Sequence, residues 1–147
     1  VDNLRSAIFE AAGRADVREA VDRVYAELQE QIDLRRPICV VSGRCCRFEE
    51  FGHRLYVTTL ELARFKMDLQ APERPPWDGK GCEFQAGKLC SVRAIRPFGC
   101  RIFFCDATST DWQQELYERL HARLRTLHEE LGVPYHYVEW RYALTQL

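Results

Sequence analysis

The chain lacks an excess of either charge. Its 147 residues carry 21 Lys and Arg against 22 Asp and Glu, for a formal net charge of −1. No basic surplus points to nucleic acid or anionic lipid. Long apolar runs are missing too: the longest, such as Ile38–Val41, hold four residues, whereas a bilayer-spanning helix needs about 20. The opening residues, Val-Asp-Asn-Leu-Arg-Ser, have no basic stretch running into an apolar one, so they do not read as a signal peptide. There is no internal repeat, no low-complexity tract and no glycine-rich nucleotide loop. These absences predict a soluble cytoplasmic protein that binds neither nucleic acid nor membrane. Hydrophobic residues make up 46% of the chain, and the length suits a single domain with one core.

What is present divides the chain into three stretches. Residues 1–37 read as helix. Leu4, Ala7, Ile8 and Ala11 share one face of a short first helix, which Gly13 interrupts. Asp16 with Glu19 has capping-box spacing. Behind it, Val17, Ala20, Val21, Val24, Tyr25, Leu28 and Ile32 recur at three- and four-residue steps, predicting an amphipathic helix over 17–34 that stops before Pro37. Residues 108–147 form the other end. Trp112, Leu116, Leu120, Leu124, Leu127 and Leu131 predict a helix over 111–131, closed by Gly132 and Pro134. Its stripe is narrow, which suits core packing and also a seam for a protein partner or a homodimer. An aromatic tail follows, Tyr135-His-Tyr-Val-Glu-Trp-Arg-Tyr, partly alternating and read as a strand with a final short turn.

Between these ends lies the cysteine region, 38–107. Phe48–Phe51 and Leu55–Val57 flank Gly52-His53 as a short hairpin would. Thr58 with Glu61 is a second capping box, opening a helix over 59–69 whose Leu62, Ala63, Phe65 and Leu69 point mostly inward. A proline-rich loop covers 71–81. Cys82-Glu-Phe-Gln and Leu89-Cys90-Ser-Val then flank Ala86-Gly87-Lys88, which predicts a hairpin with Cys82 and Cys90 near its base. The fold class expected is α+β: a small single domain with helices at both ends around short hairpins and loops.

All seven cysteines fall between residues 39 and 105: Cys39, Cys45, Cys46, Cys82, Cys90, Cys100 and Cys105. The number is odd and no leader is visible, so a secreted disulfide framework fits poorly. Clustered thiols in a reducing compartment are more often metal ligands or catalytic groups. Thiolates close together repel unless a cation neutralises them, and zinc, iron–sulfur clusters and copper(I) do that well. No C-x-x-C pair is present, which excludes a ribbon-type zinc finger and the bacterial ferredoxin run. Thiol-redox enzymes usually open a helix with C-x-x-C, and nucleophilic cysteines need a neighbouring histidine or helix N-terminus; neither signature occurs. Activity as an enzyme is therefore not expected of the chain alone, and a thiol-redox enzyme ranks behind the metal-binding readings. His121 and His128, seven apart on one helix, read as solvated or half-buried positions and His53 as a turn residue, in preference to ligands.

The ordered pattern resembles the YkgJ-type cysteine-cluster family, described as zinc- or iron-chelating domains. Ser42-Gly43-Arg44-Cys45-Cys46-Arg47 answers the family's C-x-x-C-x-x-C-C-like opening, and Cys82-Glu-Phe84 its middle. Cys90-Ser-Val-Arg-Ala-Ile-Arg96-Pro97-Phe-Gly-Cys100-Arg101 answers C-x-I-Y-x-x-R-P-x-x-C-R closely. The resemblance spans residues 39–105. Ser42 stands where the family often has a cysteine, which leaves either one ligand fewer or a vacancy for Cys105, and Arg93 replaces a common aromatic. The resemblance implies metal chelation by these cysteines, with an iron–sulfur cluster preferred over zinc. Seven thiols exceed the four that one tetrahedral zinc takes, which favours the cluster or two sites. Arg96 and Arg101 flank Cys100 and read as cofactor-binding charges that offset thiolate or hydrogen-bond its sulfurs, or as partners of nearby carboxylates. Flagellin lysine methylases carry a similar cysteine module. This chain has little room for a methyltransferase domain, and that activity is not carried over. The role expected is electron transfer, metal handling or service as an accessory module. The rival reading is a structural zinc domain whose helix 111–131 and aromatic tail bind a protein.

Overall fold

The computed structural model describes residues 3–35, 55–69, 85–86, 89–90, 97, 101 and 110–147. Among them α1 (Leu4–Ala12) and α2 (Ala15–Arg35) come first. Strand β1 (Tyr56–Thr58) runs directly into α3 (Thr59–Asp68). The hairpin strands β2 (Gln85–Ala86) and β3 (Leu89–Cys90) follow. Helix α4 (Thr110–Leu131), strand β4 (Tyr137–Glu139) and the short α5 (Trp140–Leu144) complete the order. The α+β expectation holds for these elements.

Helix α1 starts where Asn3 accepts a hydrogen bond from the Ser6 N–H at 3.1 Å, and it buries Leu4, Ala7, Ile8 and Ala11, the face read from spacing. Helix α2 begins earlier than its apparent capping box. The Arg14 carbonyl already accepts from the Arg18 N–H, so Asp16 lies inside the first turn. The Asp16 carboxylate takes a bidentate bond from Arg14 at 3.0 and 2.7 Å, and Glu19 pairs with Arg23 one turn on. The tight Gly13–Arg14 connection leaves no room for a longer entry.

Strand β1 pairs antiparallel with β4, in register Tyr56 to Glu139, Val57 to Val138 and Thr58 to Tyr137. Its described partner is thus the C-terminal strand; the Phe48–Phe51 arm of the expected hairpin lies outside the described residues. Strands β2 and β3 pair as predicted, Gln85 with Cys90 and Ala86 with Leu89, so Ala86 belongs to the strand and not to the turn.

Helix α3 is buried on two faces. Leu60 and Ala63 join Val17, Val21, Val24 and Leu28 of α2 and Leu116, Leu120 and Leu124 of α4 in one core cluster. Leu62 and Phe65 join Leu4 and Ile8 of α1, Val57, and Trp140, Ala143 and Leu144 of α5 in a second. Phe65 and Trp140 meet edge to face at 5.1 Å between centroids. Burial of this kind is the main stabilising force in such a fold. The leucine stripe of α4 is used here, inside the chain. A protein partner or homodimer seam on helix 111–131 would therefore have to draw on residues outside that stripe.

Ion pairs fix the helices laterally. Arg64 of α3, 15% exposed, holds Asp22 at 2.6 Å and Asp68 at 2.8 Å, and Arg18 reaches Asp68 at 3.2 Å. The two guanidinium groups hold the Asp68 carboxyl below its ordinary pKa. Arg123 of α4 pairs with Glu27 of α2. Helix α4 ends in a Schellman turn: Val133 N–H donates to the His128 carbonyl at 2.9 Å and Gly132 N–H to the Glu129 carbonyl at 3.2 Å. Gly132 takes φ of 67°, a left-handed conformation that glycine adopts without steric cost.

Candidate metal centre

Two contacts tie described residues that flank or adjoin cysteines in sequence to the helices. Tyr25 lies on the buried face of α2, 8% exposed. The Arg101 guanidinium stands over its ring, 4.0 Å from the centroid. Arg101 is helical and half-buried, and Pro97 is buried. The residue next to Cys100 is therefore clamped to α2 by a cation–π contact, a type of contact worth about 0.5–2 kcal/mol. At the far end of α2, the Arg35 guanidinium lies 5.8 Å from the Trp112 ring in the first turn of α4. The chain thus leaves α2 toward Cys39 and re-enters α4 after Cys105 at the same end of an antiparallel helix pair.

Cys90 sits in β3, opposite Gln85. Cys39, Cys45, Cys46, Cys82, Cys100, Cys105 and Arg96 lie outside the described residues. Arg101 is brought against Tyr25, an aromatic partner that was not foreseen for it; the helical stripe marked Tyr25 only as core. Among the described residues, no group of three or more His, Cys, Asp or Glu side chains is arranged to hold a metal ion. A resident metal or cluster would fall to the cysteines, and the chemistry of that donor set fits one, because soft thiolates suit iron–sulfur clusters and zinc.

A second polar constellation lies at the start of α3, and there the sequence reading needs correction. His128 is 1% exposed, neither solvated nor half-buried. Its Nδ1–H donates to the Leu124 carbonyl at 2.7 Å, and its Nε2 accepts the Leu60 N–H at 3.2 Å. These partners fix a neutral tautomer, and burial pushes the imidazole pKa down to about 4. The other donors of that helix end are also met. Thr58 N–H and hydroxyl both donate to Glu61 Oε2 at 2.8 Å, Glu61 N–H donates to Thr58 Oγ1, and Thr59 N–H donates to the His136 carbonyl at 3.2 Å. The predicted Thr58–Glu61 capping box is complete.

Around this end, His121 lies against an aromatic group. Its ring stacks on Tyr117, meets Tyr137 edge to face at 4.7 Å, and its Nε2 lies 3.0 Å from the Tyr135 hydroxyl. Tyr137 in turn stacks on Tyr56 at 5.4 Å. Burial, with Arg125 nearby, lowers the His121 pKa, and burial raises those of Tyr117 and Tyr135. The signal for His128 was present in the sequence: it continues the four-residue row Leu116, Leu120, Leu124. No helix among the described residues is long and apolar enough to cross a membrane. Compared with known proteins, the chain matches no family model, no curated protein and no solved structure.

Proposed function

We propose that this chain is a metal-binding protein of the YkgJ type that holds an iron–sulfur cluster, or failing that zinc, through its clustered cysteines. The observation that carries the reading is the confinement of all seven cysteines to residues 39–105, ending in Cys90 through Arg96-Pro97-Phe-Gly-Cys100-Arg101. Multiple thiolates so close in sequence need a cation to share them. Cys45, Cys46, Cys82, Cys90 and Cys100 are the ligands matched to the family pattern, with Cys39 and Cys105 beside them. Arg96 and Arg101 supply positive charge next to Cys100, and Arg101 does so from a fixed position on Tyr25. The bound group would supply electron transfer or a metal to be handed on, in a reducing cytoplasmic setting; the chain's own part is to hold it and shield it.

The test is anaerobic purification followed by iron, sulfide and zinc analysis with a visible spectrum. A brown protein absorbing at about 400 nm, with iron and sulfide in stoichiometric amounts, is the expected result. A colourless protein with stoichiometric zinc replaces the cluster by a structural zinc site. Cys90→Ser and Cys100→Ser each lose the metal; full retention in both variants overturns the ligand assignment.

A further inference from the structure

The first turn of α3 is a buried helix end whose backbone donors are all occupied; two of the acceptors, the Glu61 carboxyl and His128, are ionisable, and of these only His128 loses its lone pair on protonation. Thr59 N–H is taken by a carbonyl, Thr58 and Glu61 N–H by each other's side chains, and Leu60 N–H by the lone pair of His128 Nε2. The first three acceptors remain acceptors across the mild acid range. The fourth does not. A proton on Nε2 turns it into a donor facing another donor, at the positive end of a helix. The Leu124 carbonyl already occupies Nδ1–H, so the ring cannot present a second lone pair by changing tautomer.

We propose that His128 is an acid-sensitive latch: its neutral imidazole fastens the N-terminus of α3 to α4, and protonation releases that end together with the β1–β4 pairing beside it. The surrounding groups favour release. His121 on α4 and His136 before β4 both act against positive charge on His128. The Tyr135 ring covers it edge-on at 5.0 Å, and the opposite influence on Tyr135 comes from the Arg125 cation, 5.1 Å from its centroid. Glu61, the acidic group of the α3 first turn, commits Oε2 to the Thr58 N–H and hydroxyl. On α2 the buried residues are Val17, Val21, Val24, Leu28 and Tyr25, of which Tyr25 is titratable and uncharged at neutral pH. The neighbouring Val57–Thr59 segment leaves with the latch because Thr59 is tied to His136 in both directions, through its N–H and its hydroxyl.

The sign follows from linkage. The folded-state pKa of about 4 lies below the ordinary 6.5, so the latch holds fully above pH ~6.5 and weakens as the pH falls toward 4. With an ordinary imidazole in the opened state, opening at residues 58–61 rises roughly twentyfold between pH 7 and pH 5. The experiment is an NMR titration of the full chain that follows the His128 ring and the Leu60 amide, with hydrogen exchange corrected for its intrinsic pH dependence. The expected result is a His128 ring step well below the ordinary histidine range that the Leu60 amide shift follows, with protection of residues 58–61 falling from about pH 6.5 downward. His128→Gln offers an amide oxygen that stays an acceptor in acid, and it removes that step. A His128 ring that titrates near pH 6.5, Leu60 protection that survives its protonation, or an unchanged step in the Gln variant overturns the proposal. The wild-type titration decides the matter even where the variant does not fold.

Discussion

Leu116, Leu120, Leu124 and His128 follow one another at four-residue steps along α4, and all four are buried. The leucines could be read from periodicity because apolar side chains announce their face. The same row marks the histidine's face but not its role, because an imidazole is equally at home in water until a buried N–H requires its lone pair, and that N–H comes from a residue 68 positions away. The same limit applied to Arg101, whose contact with Tyr25 joins two distant parts of the chain. At this scale the ring and its size can be separated. Tyr25→Phe keeps the aromatic face under the guanidinium and is expected to bind metal as the native chain does. Tyr25→Leu removes it, costs about 1 kcal/mol in unfolding free energy, and lowers metal retention. Equal metal content in the two variants would show that the clamp does not position the Cys100 segment.

Helix α3 illustrates what was legible in an element and what was not. Its start was marked by Thr58 and Glu61, and both bonds of the box form. Its two-sided burial was less evident: the spacing marks Leu62, Ala63, Phe65 and Leu69, and Leu60 and Glu61 are buried as well. Glu61 is a carboxylate at 2% exposure, kept there by donors that would otherwise be unmet. Glu61→Ala leaves the Thr58 N–H without that acceptor inside the protein, so urea unfolding should show a loss of about 2 kcal/mol. Glu61→Gln retains an oxygen in the same place and should lose less. The α2 start was misjudged for a local reason: Arg14 draws the Asp16 carboxylate to itself and its own carbonyl begins the helix. The partner of β1 was beyond local reasoning, because the Gly52-His53 turn signal is near in sequence and Tyr137–Glu139 is far.

For the whole molecule, the core clusters of the described residues join α1, α2, β1, α3, α4 and α5 to one another. Those helices bury their apolar faces on one another, whereas in small zinc domains the folding energy is the metal itself. Chelation, or the Cys90→Ser and Cys100→Ser changes, should remove the metal while far-UV circular dichroism keeps most of its helical signal. Collapse of that signal on metal removal would mean that the centre holds the ends together. The helices at both ends were legible from their spacing; the way they close was not, because it depends on β4 and α5 returning to β1 and α3. That return has a consequence for the order in which the protein is made. All seven thiols precede Tyr137–Glu139 in the chain, so β1 waits for its partner until that strand has been made. The β1–β4 pairing, between strands far apart in sequence, is therefore among the last contacts of the described fold to form.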